Sequence, residues 1–148
     1  MKIFNRTFER EYEKLETVEA GVVLTGPEAK ATFLKQIRLD GSYVKLMRGE
    51  AFLINADIQK YKFAKQEEYD PKRSRKLLLH KKELLKLQTK TAEKGLTLIP
   101  VSCYEIGPYI KIEIAIARGR KDLEKRKLEK NRDITRNEKK EAKEWMKR

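Results

Sequence analysis

The chain has 148 residues, enough for one domain with a real core and too few for two comfortable ones. Its 36 lysines and arginines face 23 acidic residues, a formal charge of +13 with a pI near 9.8, which points to a polyanionic partner, nucleic acid or an anionic membrane. No apolar run of about 18 residues offers a membrane span, the charged start MKIFNRTFEREYEKL argues against a secretory leader, and Cys103 as the sole cysteine excludes an intramolecular disulfide or a cysteine-based zinc site. A soluble, cytoplasmic protein held together by packing is the expectation.

In chain order, YEKLETVEAGVVL from Tyr12 to Leu24 reads as two short strands bent at Ala20-Gly21. Thr25-Gly26-Pro27-Glu28 opens a helix that should stop near Gln36, with Pro27 in the first turn, Glu28 complementing the dipole, and Ala31, Leu34 and Phe33 inward. SYVKLM and AFLINADI flank Arg48-Gly49-Glu50 as a hairpin in which Val44 and Leu46 alternate with lysine. Residues 60–71 are charged and aperiodic, a loop expected to be mobile around residues 65–68.

The stretch DPKRSRKLLLHKKEL, Asp70 to Leu84, then fuses a turn, the cations Lys72, Arg73, Arg75 and Lys76, and an apolar helix start. It reads as a basic platform on a helix from about Arg75 to Lys94, with Ser74 as N-cap, Gly95 after the last turn, and Leu77, Leu78, Lys81, Leu84, Leu85 and Gln88 on one face. LTLIPVSCY and YIKIEIAIA form a last hairpin across Glu105 to Pro108, with Ile110, Ile112, Ile114 and Ile116 sharing one face and Lys111 and Glu113 the other. About six strands and two helices over residues 1–117 make a mainly β domain with flanking helices, as a closed barrel or an open sheet. Residues 118–148 carry too few apolar side chains to offset their ordering entropy, although Asp122 with Arg126 and Glu144 with Arg148 are helix-favouring pairs. That tail should be disordered when free and helical on a partner.

Charge is segregated along the chain. Residues 1–71 carry 12 basic and 12 acidic side chains, residues 72–90 carry 8 and 1, residues 91–117 carry 2 and 3, and residues 118–148 carry 14 and 7, so the platform and the tail hold the whole surplus. Two electrostatic footprints explain this better than generic solubility. The platform cations suit phosphates, and Tyr61, Phe63 and Tyr69 upstream are either stacking surfaces for unpaired bases or core anchors.

Material for catalysis is poor. His80 lies between leucines and lysines as a structural or phosphate-contacting group, Cys103 sits in a strand pattern as a small buried side chain, and the glycines are isolated turn residues without a phosphate-loop spacing. No enzyme activity, cofactor or metal site is expected. An RNA-binding protein is the first reading, a nonspecific RNA- or ribosome-associated assembly factor the second, and a membrane-surface anchor the third.

Several blocks in fixed order resemble one family. Asn5-Arg6 with Tyr12, VEAGVVLTGPEAK, LDGSYVKLMRGEAFLINADIQKY, the Asp70–Leu84 motif, and EKGLTLIPVSCYEIGPYIKIEIAIARGRKDLEKR are similar to the small protein B family, the SsrA-binding (tmRNA-binding) proteins of bacterial trans-translation. Arg10 stands where many members have histidine, Pro27 replaces the common threonine, and Glu124 replaces the usual aspartate before Lys125-Arg126. The resemblance implies an OB-like barrel that binds the tRNA-like domain of tmRNA and a basic tail that enters a stalled ribosome. It also implies small-subunit RNA as a second partner, alanyl-tRNA synthetase and elongation factor Tu as indirect ones, and a monomer. The tmRNA face would comprise Asn5, Arg6, Tyr12, Glu19, Lys72, Arg73, Arg75, Lys76 and Leu78. The ribosome-facing tail would use Gly119, Arg120, Lys121, Lys125, Arg126, Lys127, Lys130, Arg132 and Arg136.

Overall fold

A computed structural model of the chain describes residues 1–65 and 68–146. Residues 66 and 67, within the stretch expected to be mobile, and Arg148 of the expected pair with Glu144 lie outside the described residues. The elements run β1 (Lys2–Phe4), α1 (Phe8–Glu11), β2 (Tyr12–Val22), α2 (Gly26–Phe33), β3 (Ile37–Arg38), β4 (Tyr43–Met47), β5 (Glu50–Ile54) and β6 (Asp57–Ile58). Then come β7 (Arg75–Leu78), α3 (Lys81–Thr91), β8 (Leu96–Ile106), β9 (Tyr109–Gly119) and α4 (Asp122–Met146).

Seven strands form one antiparallel sheet in the order β1-β8-β9-β2-β7-β5-β4, and β3 pairs with β6 separately. The β8–β9 hairpin is its spine, because the isoleucines of β9 alternate to a single buried face as period two requires. The β4–β5 hairpin closes through Arg48 and Gly49, both left-handed at φ 51° and 74°, the two-residue turn whose twist matches the strands. β4 comes alongside β8, yet among the described residues no ladder joins them. The sheet is curled and open, not a closed barrel.

The main core lies on one face of the sheet: Ile112, Ile114, Ile116, Leu98, Leu53 and Leu77 cluster with Ala31 of α2 and Leu87 of α3. A smaller cluster on the other face packs Phe8 of α1 onto Ile99, Ala115 and Ala117, with Tyr12 and Val101 at its edge. The register shifts at Leu15 of β2 and Val101 of β8 re-aim these strands, so one sheet can present apolar side chains to both clusters.

Four expectations are corrected. Arg75–Leu78 is a strand, not the first turn of a helix; Leu-Leu-Leu suits either state, and pairing with both β5 and β2 decides it. The helix starts at Lys81 after His80, and it buries Leu87 with Leu84 half-buried, while Leu78 and Leu85 of the expected face are exposed. Residues 12–22 form one strand through Ala20-Gly21; at Gly21 a Cβ would stand 3.4 Å from that of Leu78, so the small residue serves close packing, not a bend. α2 ends at Phe33, leaving Phe33 and Leu34 exposed and giving the inward positions to Glu28, Ala31 and Thr32.

The tail also differs. α4 is helical from Asp122 to Met146, although none of its residues is fully buried. Its ion pairs with the domain run to α1.

Leu87→Ala should cost about 2–5 kcal/mol in urea unfolding, whereas Leu85→Ala should stay within about 0.5 kcal/mol. Equal losses would restore the face read from the sequence.

Candidate nucleic-acid interface

The Asp70 side chain accepts the Lys72 amide at 3.0 Å and its carbonyl accepts that of Arg73 at 3.2 Å, so the turn read from Asp70-Pro71 is present. Beyond it, strand parity sorts the cations. Arg75 points inward with no exposed area: Nε donates to Glu28 Oε2 at 2.9 Å, Nη1 to the Ala56 carbonyl at 2.8 Å and Nη2 to the Pro71 carbonyl at 2.9 Å. Arg73 reaches the same carboxylate, Nη2 to Oε1 at 2.5 Å, with its side chain half exposed. Lys72 is exposed on the surface, and Lys76, whose side chain is about as exposed as that of Arg73, pairs with Glu50 at 3.3 Å.

Glu28 is the reason. Its carboxylate accepts the Thr25 amide at 3.0 Å while its own amide is received by the Thr25 hydroxyl at 3.3 Å, a capping box that draws the charge into the core. Burial alone would raise its pKa; Arg73, the Thr25 amide and Arg75 outweigh that and hold it at about 2. Tyr69 completes the cluster by donating to the Ile58 carbonyl at 2.7 Å. Arg75 therefore cannot touch RNA, and Arg73 is shared between Glu28 and the surface. Of the three candidate stacking aromatics, Tyr69 is tied here, Tyr61 packs against the core, and Phe63 is exposed.

Outward-facing residues of three adjacent strands make the face that remains. Gly21 pairs with Leu78 of β7 on one side and Lys111 of β9 on the other, and two residues earlier Glu19 pairs with Glu113. The Tyr104 hydroxyl donates to Glu19 and the Ser102 hydroxyl to Glu113, so each of the facing carboxylates has a neutral donor. Burial and the charged Glu19 raise the Tyr104 pKa above its ordinary 10.0, keeping that proton in place. Lys76 and the half-exposed Leu78 extend the ridge along β7.

Asn5 and Tyr12 lie elsewhere. Nine residue steps of strand lead from Tyr12 to Gly21, about 30 Å at the usual rise. Asn5 is buried: Nδ2 donates to the Pro100 carbonyl at 2.9 Å and Oδ1 accepts the Thr7 amide and hydroxyl, which sets the start of α1. Tyr12 stacks on Phe8 at 5.8 Å, and with Phe4, Arg6, Lys14 and Arg120 it lines a cleft of about 460 Å³. The residues expected to form one face thus fall into two patches at opposite ends of β2.

In the tail, Gly119 ends β9 opposite Tyr12, and Arg120 donates from Nε to the carbonyls of Glu9 at 3.0 Å and Tyr12 at 3.2 Å. Lys125 and Arg132 are paired with Glu11 and Glu9, and Arg136 with Asp133. Lys121, Arg126, Lys127 and Lys130 are exposed. His80 is an exposed helix cap, and burial pushes the Cys103 thiol up to about 12. Lys111 and Tyr104 were absent from the expected set; their only sequence signal was parity with Glu113 and Ser102.

Glu28→Gln should destabilise by about 3–5 kcal/mol, since it strands a buried guanidinium. Because the folded pKa lies near 2 against an ordinary 4.5, the carboxylate's contribution is complete above about pH 4.5 and is lost as pH falls towards 2. Acid titration of unfolding should show that loss in the native sequence and not in Glu28→Gln; identical profiles would refute the assignment.

Comparison with known proteins matches this architecture. The family model described as SmpB protein matches residues 2–144. An SsrA-binding protein of Persephonella marina is 46% identical over 132 residues, covering 89% of this chain and 87% of the relative. Another, of Chlorobium chlorochromatii, is 47% identical over 133 residues, 88% and 84% of the two chains. A solved chain described as "tmRNA-SmpB: a journey to the center of the bacterial ribosome" aligns at TM-score 0.68 and 40% identity over 82% of this chain and 85% of its own. The chain belongs to the SmpB protein family.

Proposed function

We propose that this protein is a noncatalytic RNA-binding adaptor of trans-translation. Its sheet binds the tRNA-like domain of tmRNA, and its tail helix carries the complex into stalled ribosomes against small-subunit RNA. The observation that carries this reading is the outer ridge of Lys76, Leu78, Lys111 and Glu19, a surface of mixed charge and partly apolar on three adjacent strands, in a chain whose relatives are named for SsrA. Lysines neutralise phosphates, Leu78 offers an apolar contact to an unstacked base, and Glu19 accepts from a base or a 2′-hydroxyl.

Residues 1–117 form the RNA-binding unit in this reading, an open relative of the OB-like barrel, and residues 118–148 the ribosome-facing one. Arg6 and Lys72 contribute phosphate contacts, Asn5 and Tyr12 shape the second patch, and Arg75 acts only by holding β7 in place. Alanyl-tRNA synthetase and elongation factor Tu are met through the bound RNA, in the cytoplasm, with the protein as a monomer.

Lys76→Gln should weaken tmRNA binding and lower the salt slope by about one contact. The triple change Arg126→Gln, Lys127→Gln and Lys130→Gln in the full chain should keep tmRNA affinity in filter binding and lose tagging of stalled products in a reconstituted translation system. Equal competition by bulk tRNA would favour a nonspecific RNA-associated module, and loss of tmRNA binding in the triple variant would end the division of labour.

A further inference from the structure

α2 ends in a strained turn. The Lys35 amide donates to the Thr32 carbonyl at 2.9 Å and the Gln36 amide to the Ala31 carbonyl at 3.0 Å, the closing pattern that puts the residue after the helix cap in the left-handed region. That residue is usually glycine; here it is Lys35, at φ 64°. Lys35, Arg6 and Arg38 line one groove of about 370 Å³, with Phe4, Gln36 and Asp40 in the same wall. The Arg6 amide donates to Asp40 Oδ1 at 3.1 Å and the Gln59 amide to the Gln36 carbonyl at 3.0 Å, which fixes the backbone around it. None of the ridge residues Glu19, Lys76, Leu78 and Lys111 belongs to this groove.

We infer that this groove binds a ribonucleotide of an RNA strand, at a site separate from the ridge. Its phosphate is held by Arg6, Lys35 and Arg38, all exposed and none in an ion pair among the described residues. A lysine in the left-handed region strains the backbone, and a cation kept where glycine fits better serves a ligand, not the turn. Asp40 is the one carboxylate of the wall, and its Oδ1 already accepts the Arg6 amide. Asp57 stands opposite Arg38 in the β3–β6 ladder without an ion pair to it. Gln36 selects for more than a bare anion. Its Oε1 is buried with no donor among the described residues, so turning it into the groove gives up no hydrogen bond of that oxygen and gains one from a 2′-hydroxyl. Phe4 is 58% exposed, and Lys2 Nζ lies 5.2 Å over its ring, an aromatic surface beside a cation that suits a base. The RNA strand as the source rests on the function proposed above; the nucleotide site does not.

Amide NMR of the full chain reads the groove through the signals of Arg6, Lys35, Gln36 and Arg38, and the ridge through those of Lys76 and Lys111. Inorganic phosphate should shift the groove signals weakly, adenosine 5′-monophosphate at lower concentration, and oligo(A) RNA of about six nucleotides at the lowest. DNA of the same sequence should bind the groove roughly 3–10-fold more weakly, and Gln36→Leu should erase that preference. Lys35→Gly removes a charge while relieving the turn, so it should unfold at no lower urea concentration than the native chain and still lose roughly tenfold in nucleotide affinity. A merely structural Lys35 would leave nucleotide binding unchanged, which would overturn the assignment. Groove signals indifferent to both adenosine 5′-monophosphate and RNA would overturn the site, and phosphate bound as tightly as the nucleotide would overturn its ribonucleotide class. Adenosine 5′-monophosphate bound as tightly as oligo(A) would make free nucleotide the source and overturn the RNA part. RNA bound at the ridge alone would leave the proposed function standing and refute this inference, whereas nucleotide bound in the groove with no RNA at the ridge would do the reverse.

Discussion

Two guanidinium groups converge on one buried carboxylate, and much of the domain follows from that neutralisation. Glu28 enters the core because its capping box with Thr25 starts α2, and a carboxylate there is tolerable only with fixed counter-charges. Arg75 supplies one from within β7 and Arg73 the other from the turn before it. The remaining donors of Arg75 go to the carbonyls of Ala56 and Pro71, so α2, the chain after β5, and the 69–75 segment are tied at one point. A buried ion cluster of this kind adds little net stability over an apolar replacement; what it fixes is which arrangement the chain adopts.

Fixing β7 also settles the character of the outer face. A motif with four cations in five residues leaves only Lys72 without an ion pair among the described residues, since Arg73 and Arg75 hold Glu28 and Lys76 pairs with Glu50, so affinity cannot come from a dense cationic patch at this spot. The surface is mixed instead: lysines of β7 and β9 flank an exposed leucine and a carboxylate held by a tyrosine. Such a surface suits recognition of folded RNA by shape and hydroxyl groups more than nonspecific adhesion to phosphate.

Where local chemistry and tertiary context agreed, the sequence was legible. The isoleucine alternation of β9, the Arg48-Gly49 turn and the Thr25 to Glu28 helix start could be read because each signal lies within a few residues of its consequence. The strand at Arg75–Leu78 was not, because three leucines carry no period and the deciding partners, β2 and β5, lie more than twenty residues upstream. For the same reason Glu28 read as a dipole partner and the arginines as surface charge: pairing across 45 and 47 residues leaves no local trace. The helix of the tail was read from the sequence, but its ion pairs with Glu9, Arg10 and Glu11 were not, since those partners lie more than a hundred residues away. The residues expected on one RNA face stand in two patches because chain order does not reveal that Tyr12 and Gly21 lie well apart on one long strand.

The inward aim of Arg75 bears on which changes of chain length this domain can absorb. Tyr69 and the Ile58 to Pro71 hydrogen bond pinch the intervening loop at its base, so residues added or removed within that loop leave the strands on either side undisturbed. Between Pro71 and Leu78 the opposite holds. Deleting a single residue there would turn Lys76 towards Glu28 and Leu77 towards water, inverting the whole segment at once. Homologues should therefore vary in length before Tyr69 and keep a constant count from Pro71 onward, with the spacing itself conserved more strictly than the identity of the outward-facing side chains.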